Sequence, residues 1–148
     1  MKCDLCKKPN KNKIIFETKF WTITISSNQA YLGRSYVSLK RHCGSLSELE
    51  NFEWVDFIEL VKKLESALKK SFDATMFNWT CLMNNAYQHD PPNPHVHWHF
   101  RPRYRNIVKF EEDVFEDPEF GHHYNGERRQ EVSSATKKKI SDKLKQYL

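Results

Sequence analysis

The sequence predicts an α+β fold: an antiparallel sheet of about five strands, one long helix and a shorter C-terminal helix. Three observations lead there. Short runs rich in β-branched and aromatic residues recur along the 148 residues. One long segment beginning near Ser45 keeps a helical period. Strands and helices do not alternate as βαβ units require, which leaves an antiparallel arrangement.

The elements follow in order. Ile14–Thr18 and Trp21–Ile25 read as strands, Ser26–Gly33 as a polar turn, and Tyr36–Leu39 as the third strand. Ser45-Leu-Ser-Glu48 has a capping-box pattern, with Ser47/Glu50 as the alternative register. It opens a helix to about Lys70, along which Leu49, Phe52, Val55, Ile58, Val61, Leu64 and Leu68 recur every three or four residues. Phe77–Met83 reads as a further strand. The turn Asp90-Pro-Pro-Asn-Pro94 precedes another at His95–Phe100. Residues 111–131 show no clear period, and Ser133–Tyr147 reads as the final helix. No repeat or low-complexity linker interrupts the chain, so one domain is expected over 1–148, with short basic ends.

Composition removes several function classes. Aromatics at 14 % and hydrophobics at 39 % belong to a globular chain rather than a disordered one. No run of about 18 apolar residues offers a membrane span. The N-terminus lacks a signal peptide's apolar core, so a cytoplasmic protein is expected. The four glycines are too scattered for a Walker or dinucleotide-binding loop, so any phosphate must be held another way. The net charge of +5 sits at the ends: residues 1–13 and 137–148 carry +4 each, leaving −3 for 14–136. A broad cationic face for nucleic acid is therefore not expected.

The strongest chemical signal is His95-Val-His97-Trp-His99-Phe. On a strand, side chains alternate faces, so the three imidazoles share one face while Val96, Trp98 and Phe100 pack on the core. Successive imidazoles would stand roughly 7 Å apart. Arg101, Arg103 and Arg105 continue the same side, with Pro102 expected to end regular pairing. Imidazoles running into guanidiniums suit a phosphate site. A neutral imidazole attacks phosphorus near neutral pH, provided one ring nitrogen keeps its lone pair free while the other donates to a fixed acceptor. Neighbouring cations then offset charge on the phosphoryl oxygens.

The cysteines are Cys3, Cys6, Cys43 and Cys81. A disulfide scaffold does not fit a chain without an export signal. Cys3-x-x-Cys6 is half of a zinc site, and His42 and His95 are candidates for the other half. Redox motifs share the spacing, usually beside a βαβ unit that is missing here. Cys81 reads as core.

The segment HVHWHFRPR resembles the His-x-His-x-His-x-x signature of the histidine-triad (HIT) superfamily. Leu39-Lys40-Arg41-His42 is similar to the family's strand that ends in a basic pair and His, and the long helix follows it. The resemblance covers most of the chain. It implies a HIT-like fold, usually a homodimer joining two sheets edge to edge, and a nucleotide hydrolase or nucleotidyl transferase. By it His97 is the nucleophile on the α-phosphorus of a dinucleoside polyphosphate or nucleoside phosphoramidate, forming a nucleotidyl-histidine intermediate. His99 and Asn84 would serve catalysis, and the His95 carbonyl would orient the His97 ring. Asn85, Gln88, Asn28, Arg101 and Arg103 are the expected substrate contacts. Structural zinc on Cys3, Cys6, His42 and His95 is implied likewise. The family's Gly-Gln-Ser or Gly-Gln-Thr before the triad is replaced here by Asp90–Pro94, for which Gln88 or Asn93 would have to substitute. Its Gly-His before the third strand is Gly33-Arg34. The alternatives are a non-enzymatic nucleotide- or nucleic-acid-binding zinc module, and a metalloenzyme using the three histidines as ligands.

Overall fold

Five strands form the main sheet: β1 (Ile14–Glu17), β2 (Trp21–Ile25), β3 (Ser35–Leu39), β4 (Met76–Thr80) and β5 (His97–Arg103). The computed structural model describes residues 3–148; Met1 and Lys2 of the basic N-terminal end lie outside the described residues. The strand order is β1-β2-β3-β5-β4, every pair antiparallel. The histidine strand β5 is thus hydrogen-bonded on both sides, and β1 and β4 are the edges.

α1 (Asn51–Phe72) covers one face of the sheet. Phe57 stacks on Trp98 at 5.0 Å and meets Trp21 and Trp79. The even-numbered residues of β5, Trp98 and Phe100, therefore lie under the helix, as alternation requires. The helix buries only part of the expected stripe: Leu64 and Leu68 lie inward, with Leu49 buried just ahead of the helix. Phe52, Val55 and Ile58 are half or more exposed, while Glu53, Phe57, Leu60, Leu64 and Leu68 point inward. Steps of three drift backwards around a 3.6-residue helix, whereas alternating steps of four and three keep one face.

The helix also starts later than the Ser45 pattern suggests. Ser45 caps only a short 3-10 turn, Leu46–Glu48, and the capping box is Glu50 with Glu53. The buried Glu53 carboxylate accepts from the Glu50 backbone N–H and from the Arg41 guanidinium at 2.6 and 2.8 Å. Arg41 holds the Glu53 carboxyl below its ordinary value. That anchor ties the end of β3 to the start of α1.

Pro102 does not end β5, which pairs with β4 through Arg103. Thr75 N–H donates to the Arg103 carbonyl, so the odd residues there bond towards β4. Pro102 faces the other side, beyond the last β3–β5 pair at Ser35, where no partner strand needs its missing N–H.

A small hairpin, β6 (Val108–Phe110) and β7 (Asp113–Phe115), leads into residues 111–131, the stretch without a readable period, whose remainder is a wrapping segment. α2 (Ser134–Lys145) follows, capped by Ser133. Among the described residues no helix is long and apolar enough to cross a membrane.

The wrapping segment is held by a buried ion pair. Arg103 and Asp117 make two charge-assisted hydrogen bonds of 2.6 and 3.0 Å, with side chains 0 % and 2 % exposed. Removing one partner strands the other as an uncompensated buried charge. Asp117→Asn should therefore cost about 3–5 kcal/mol in denaturant unfolding, against well under half of that for exposed Asp142→Asn.

Candidate active site

β3, β4 and β5 build the site on the sheet face opposite α1. Ser38 and Tyr36 of β3 stand opposite His97 and His99, and Thr80 of β4 flanks His99 from the other side. The His97 and His99 rings lie 5.0 Å apart, closer than the strand repeat, because the rings lean towards each other.

Each imidazole has a different environment. His97 Nδ1 is 2.8 Å from the His95 carbonyl, an acceptor, so Nδ1 carries the proton and Nε2 keeps its lone pair. His99 packs edge-on against Tyr36 at 5.2 Å. Burial, then the charges of His97 and Arg101, push the His99 ring down to about 4, against the opposing pull of the Leu82 carbonyl. It is therefore neutral at physiological pH.

His95 is 3 % exposed and does not face the cleft alone. Its Nε2 donates to the Leu39 carbonyl at 2.8 Å, which leaves the Nδ1 lone pair directed at two thiols. Cys3 Sγ lies 3.2 Å and Cys6 Sγ 3.5 Å from that nitrogen, and Cys6 Sγ lies 3.4 Å from His42 Nδ1. The four ligand atoms of Cys3, Cys6, His42 and His95 all fall within 4.8 Å of one another. Tetrahedral zinc with two sulfurs and two nitrogens requires sulfur–nitrogen separations of about 3.5 Å. The donor set and its spacing fit that ion. Desolvation and the adjacent Cys3 push the Cys6 thiol up, so a pair of thiolates here calls for a cation. The bond from His95 to the Leu39 carbonyl is the outer partner that ligating histidines commonly have.

A cleft of about 430 Å³ opens over these rings. His95, His97 and His99 form its floor, and Asn84, Asn85, His89 and Asn93 line it from the 3-10 turn Asn84–Gln88 and the loop that follows. Cys3, Asp4 and Leu5 form one wall. Asn93 thus lies in the cleft, whereas Gln88 is exposed and outside it. His89 was not singled out by the sequence; its only signal is its place between Asn84 and the triad.

Three other expected contacts stand elsewhere. Asn28 is buried and engaged with the wrapping segment: its Nδ2 donates to the Arg128 carbonyl, and its Oδ1 accepts from Ala30 and Gln130 N–H. Arg103 gives its donors to Asp117, Asn78 and the carbonyls of Glu119 and His122. Arg101 lies beyond His99 on the same face, 6 % exposed, under the Tyr124 ring. His122 and His123 are exposed.

Comparison with known proteins agrees with this architecture. No curated protein matches the chain by sequence. Among solved structures, a hypothetical histidine triad nucleotide-binding protein from Sulfolobus tokodaii superposes with a TM-score of 0.68 at 16 % identity, covering 98 % of this chain and 91 % of that one. The diadenosine triphosphate hydrolase of Plasmodium falciparum, solved with Cyclomarin A, gives 0.64 at 15 % identity, covering 94 % and 78 %. A zinc-bound histidine triad family protein from Mycobacterium smegmatis gives 0.60 at 16 %, covering 90 % and 84 %. At such identities these likenesses speak to fold. The HIT domain itself matches residues 7–106, from just after the CxxC to beyond the histidine strand, and with more than half its length so matched the chain belongs to the HIT domain family.

Proposed function

We propose that this protein is a nucleotide hydrolase or nucleotidyl transferase that acts on the α-phosphate of dinucleoside polyphosphates or nucleoside phosphoramidates. One observation carries the reading: His97 has Nδ1 tied to the His95 carbonyl and lines a cleft, so Nε2 is the nucleophilic atom available there. His97 Nε2 attacks the α-phosphorus, a nitrogen–phosphorus bond forms, and the bond to the leaving phosphate or amine breaks with its electron pair going to the leaving group, an amine taking up a proton from solvent as it departs. The ring then carries a positive charge, which the carbonyl at Nδ1 stabilises. Water, giving up a proton to solvent, or a second phosphate attacks the phosphorus on the opposite side, and Nε2 recovers its pair. The neutral His99 ring contacts the phosphoryl oxygens without adding charge. In this reading Asn84 and Asn85, which line the cleft, hydrogen-bond along the phosphates. The diadenosine triphosphate hydrolase among the structural neighbours supports this substrate class. The same reading carries a homodimer, for which β4 offers an open sheet edge.

Zinc belongs to this reading as a structural ion on Cys3, Cys6, His42 and His95, supported by their spacing and by the zinc-bound neighbour. Bound there, it supplies cross-linking of the N-terminal segment to the sheet. His95 would thereby be fixed, and its carbonyl with it.

Three outcomes test the proposal. Incubated with diadenosine tetraphosphate or adenosine phosphoramidate, the wild type should release AMP and show an adenylyl adduct by intact mass. His97→Ala should show no adduct and lose roughly three orders of magnitude or more in kcat/KM. Equal AMP release by the two proteins would sink the nucleophile assignment, and none from either would favour a binding module.

The second outcome concerns protonation. The His99 ring should titrate near 4 by NMR, because burial disfavours its charged form. Its folded value lies below the unfolded value of about 6.5, so its contribution to stability is present above pH 6.5 and is lost as pH falls from there towards 4. Titration near 6.5 would contradict the buried, neutral role.

The third is elemental. Purified protein should carry one equivalent of zinc, and Cys6→Ser should lose the metal and lower the melting temperature. A metal-free wild type with the same melting temperature as Cys6→Ser would refute the structural ion.

A further inference from the structure

The polar row on the site face continues past His99 into two arginines. The β3–β5 register ends at Ser35 opposite Phe100. Arg34 immediately precedes β3, and continuing that register by one step would bring it to Arg101, on the face that carries Tyr36, His97 and His99; its charge acts on Arg101. Like charges in directly opposed positions destabilise a sheet. Gly33, at φ +82°, makes the turn that delivers Arg34 there; a Cβ at that position would meet Leu68 at 2.5 Å.

Among the described residues neither guanidinium forms an ion pair with a carboxylate. Arg101 is 6 % exposed, and its guanidinium lies 4.1 Å from the Tyr124 ring centre. Among the described residues its side chain makes one hydrogen bond, a long one of 3.5 Å to Thr80 Oγ1. The Nε atoms of both Arg34 and Arg101 are buried with no hydrogen-bond partner among the described residues, and so is His99 Nδ1. Of the nearby acids, Asp117 is bound to Arg103, and Glu119 pairs with Arg128 at 3.6 Å while its Oε2 has no hydrogen-bond partner among the described residues. Tyr31, Tyr36 and Tyr124 surround the pair, but phenols are neutral at pH 7, and burial pushes Tyr31 higher still. Burial and the Arg34 charge both work against the charged form of Arg101. A guanidinium nevertheless keeps its proton in proteins. Two positive charges with buried, unused donors therefore act on one another beside the triad, and an oxyanion resolves both costs.

We propose that Arg34 and Arg101 form a second phosphate subsite, about 7 Å beyond His99 along β5, which takes a phosphoryl group of the substrate other than the one attacked. The inference rests on the nucleotidyl-transfer reading of the cleft. Paired guanidiniums select a dianionic phosphoryl group because their forked donors match its oxygens and their charges match its own. The Tyr124 ring roofs the site and excludes water from the ion contacts. The group can be a further phosphate of a polyphosphate chain or a phosphate ester on the ribose.

The test separates the subsite from the reaction. Calorimetric titration of the full chain with inorganic pyrophosphate should show binding that weakens by about tenfold or more in Arg34→Met and in Arg101→Met. Arg34→Met changes a half-buried position, so it keeps the test valid if the Arg101 variant does not fold. No binding to the wild type, or equal binding by wild type and Arg34→Met, overturns the subsite whatever the turnover assay shows. Absence of turnover on every substrate would instead overturn only the nucleotidyl-transfer reading. With turnover, two selectivity ratios in kcat/KM identify the source. One compares diadenosine tetraphosphate with the triphosphate; the other compares adenosine phosphoramidate with and without a 3′-phosphate. One ratio should exceed unity in the wild type and collapse in Arg34→Met. If neither ratio responds to the arginine, the proposal fails.

Discussion

His95 joins three parts of the molecule through one ring and one carbonyl. The ring nitrogen Nε2 binds the Leu39 carbonyl, which fixes the start of β5 against the end of β3. The other nitrogen faces Cys3 and Cys6, 92 and 89 residues away in the chain. The carbonyl holds the His97 ring. The backbone of the next residue is pinned as well: Val96 N–H donates to the Cys43 carbonyl, and the Val96 carbonyl accepts from Leu39 N–H. The tautomer of the proposed nucleophile is thus set by the backbone of the residue that anchors the N-terminus. A shift of that anchor would reach His97 Nδ1 directly through the His95 backbone.

The opposite end of the row is organised by charge. Arg103 is wholly buried yet accounts for its donors with a carboxylate, an amide and two carbonyls. Arg101, two residues earlier on the same strand, is almost as buried and has a single long bond among the described residues. Burial of one guanidinium is a solved structural problem, and burial of the other is not. The contrast between adjacent odd positions, in the same sheet and under the same wrapping segment, separates an arginine that holds the fold from one available to a ligand.

What the sequence made legible follows from periodicity and short-range chemistry. Alternation along His95–Phe100 put the imidazoles on one face and the aromatic residues on the other, and the structure keeps that division through Trp98 and Phe100 under α1. The CxxC spacing read as half of a metal-ligand set with His42 and His95 as candidates for the rest, and the structure brings these four side chains together. The helix was legible as a helix but not in its facing. A run of three-residue steps from Phe52 to Ile58 looks amphipathic, yet it winds off the core, and the true face includes a carboxylate, Glu53, whose burial is compensated by Arg41 and the Glu50 N–H. Asn28 and Arg103 show the wider limit. Their partners lie 14 to 102 residues away in a segment with no period of its own, so local pattern could not distinguish a side chain tied into the fold from one facing a substrate.

The wall that Cys3, Asp4 and Leu5 give the cleft has a consequence for how the protein matures. It meets the histidine strand only across a loop of some ninety residues, and closing such a loop is entropically late compared with local hairpins. Every residue that lines the cleft lies between Cys3 and His99. The N-terminal wall is therefore made first and seated last: on a growing chain it has nothing to close against until the histidine strand has emerged, and the cleft is completed only then.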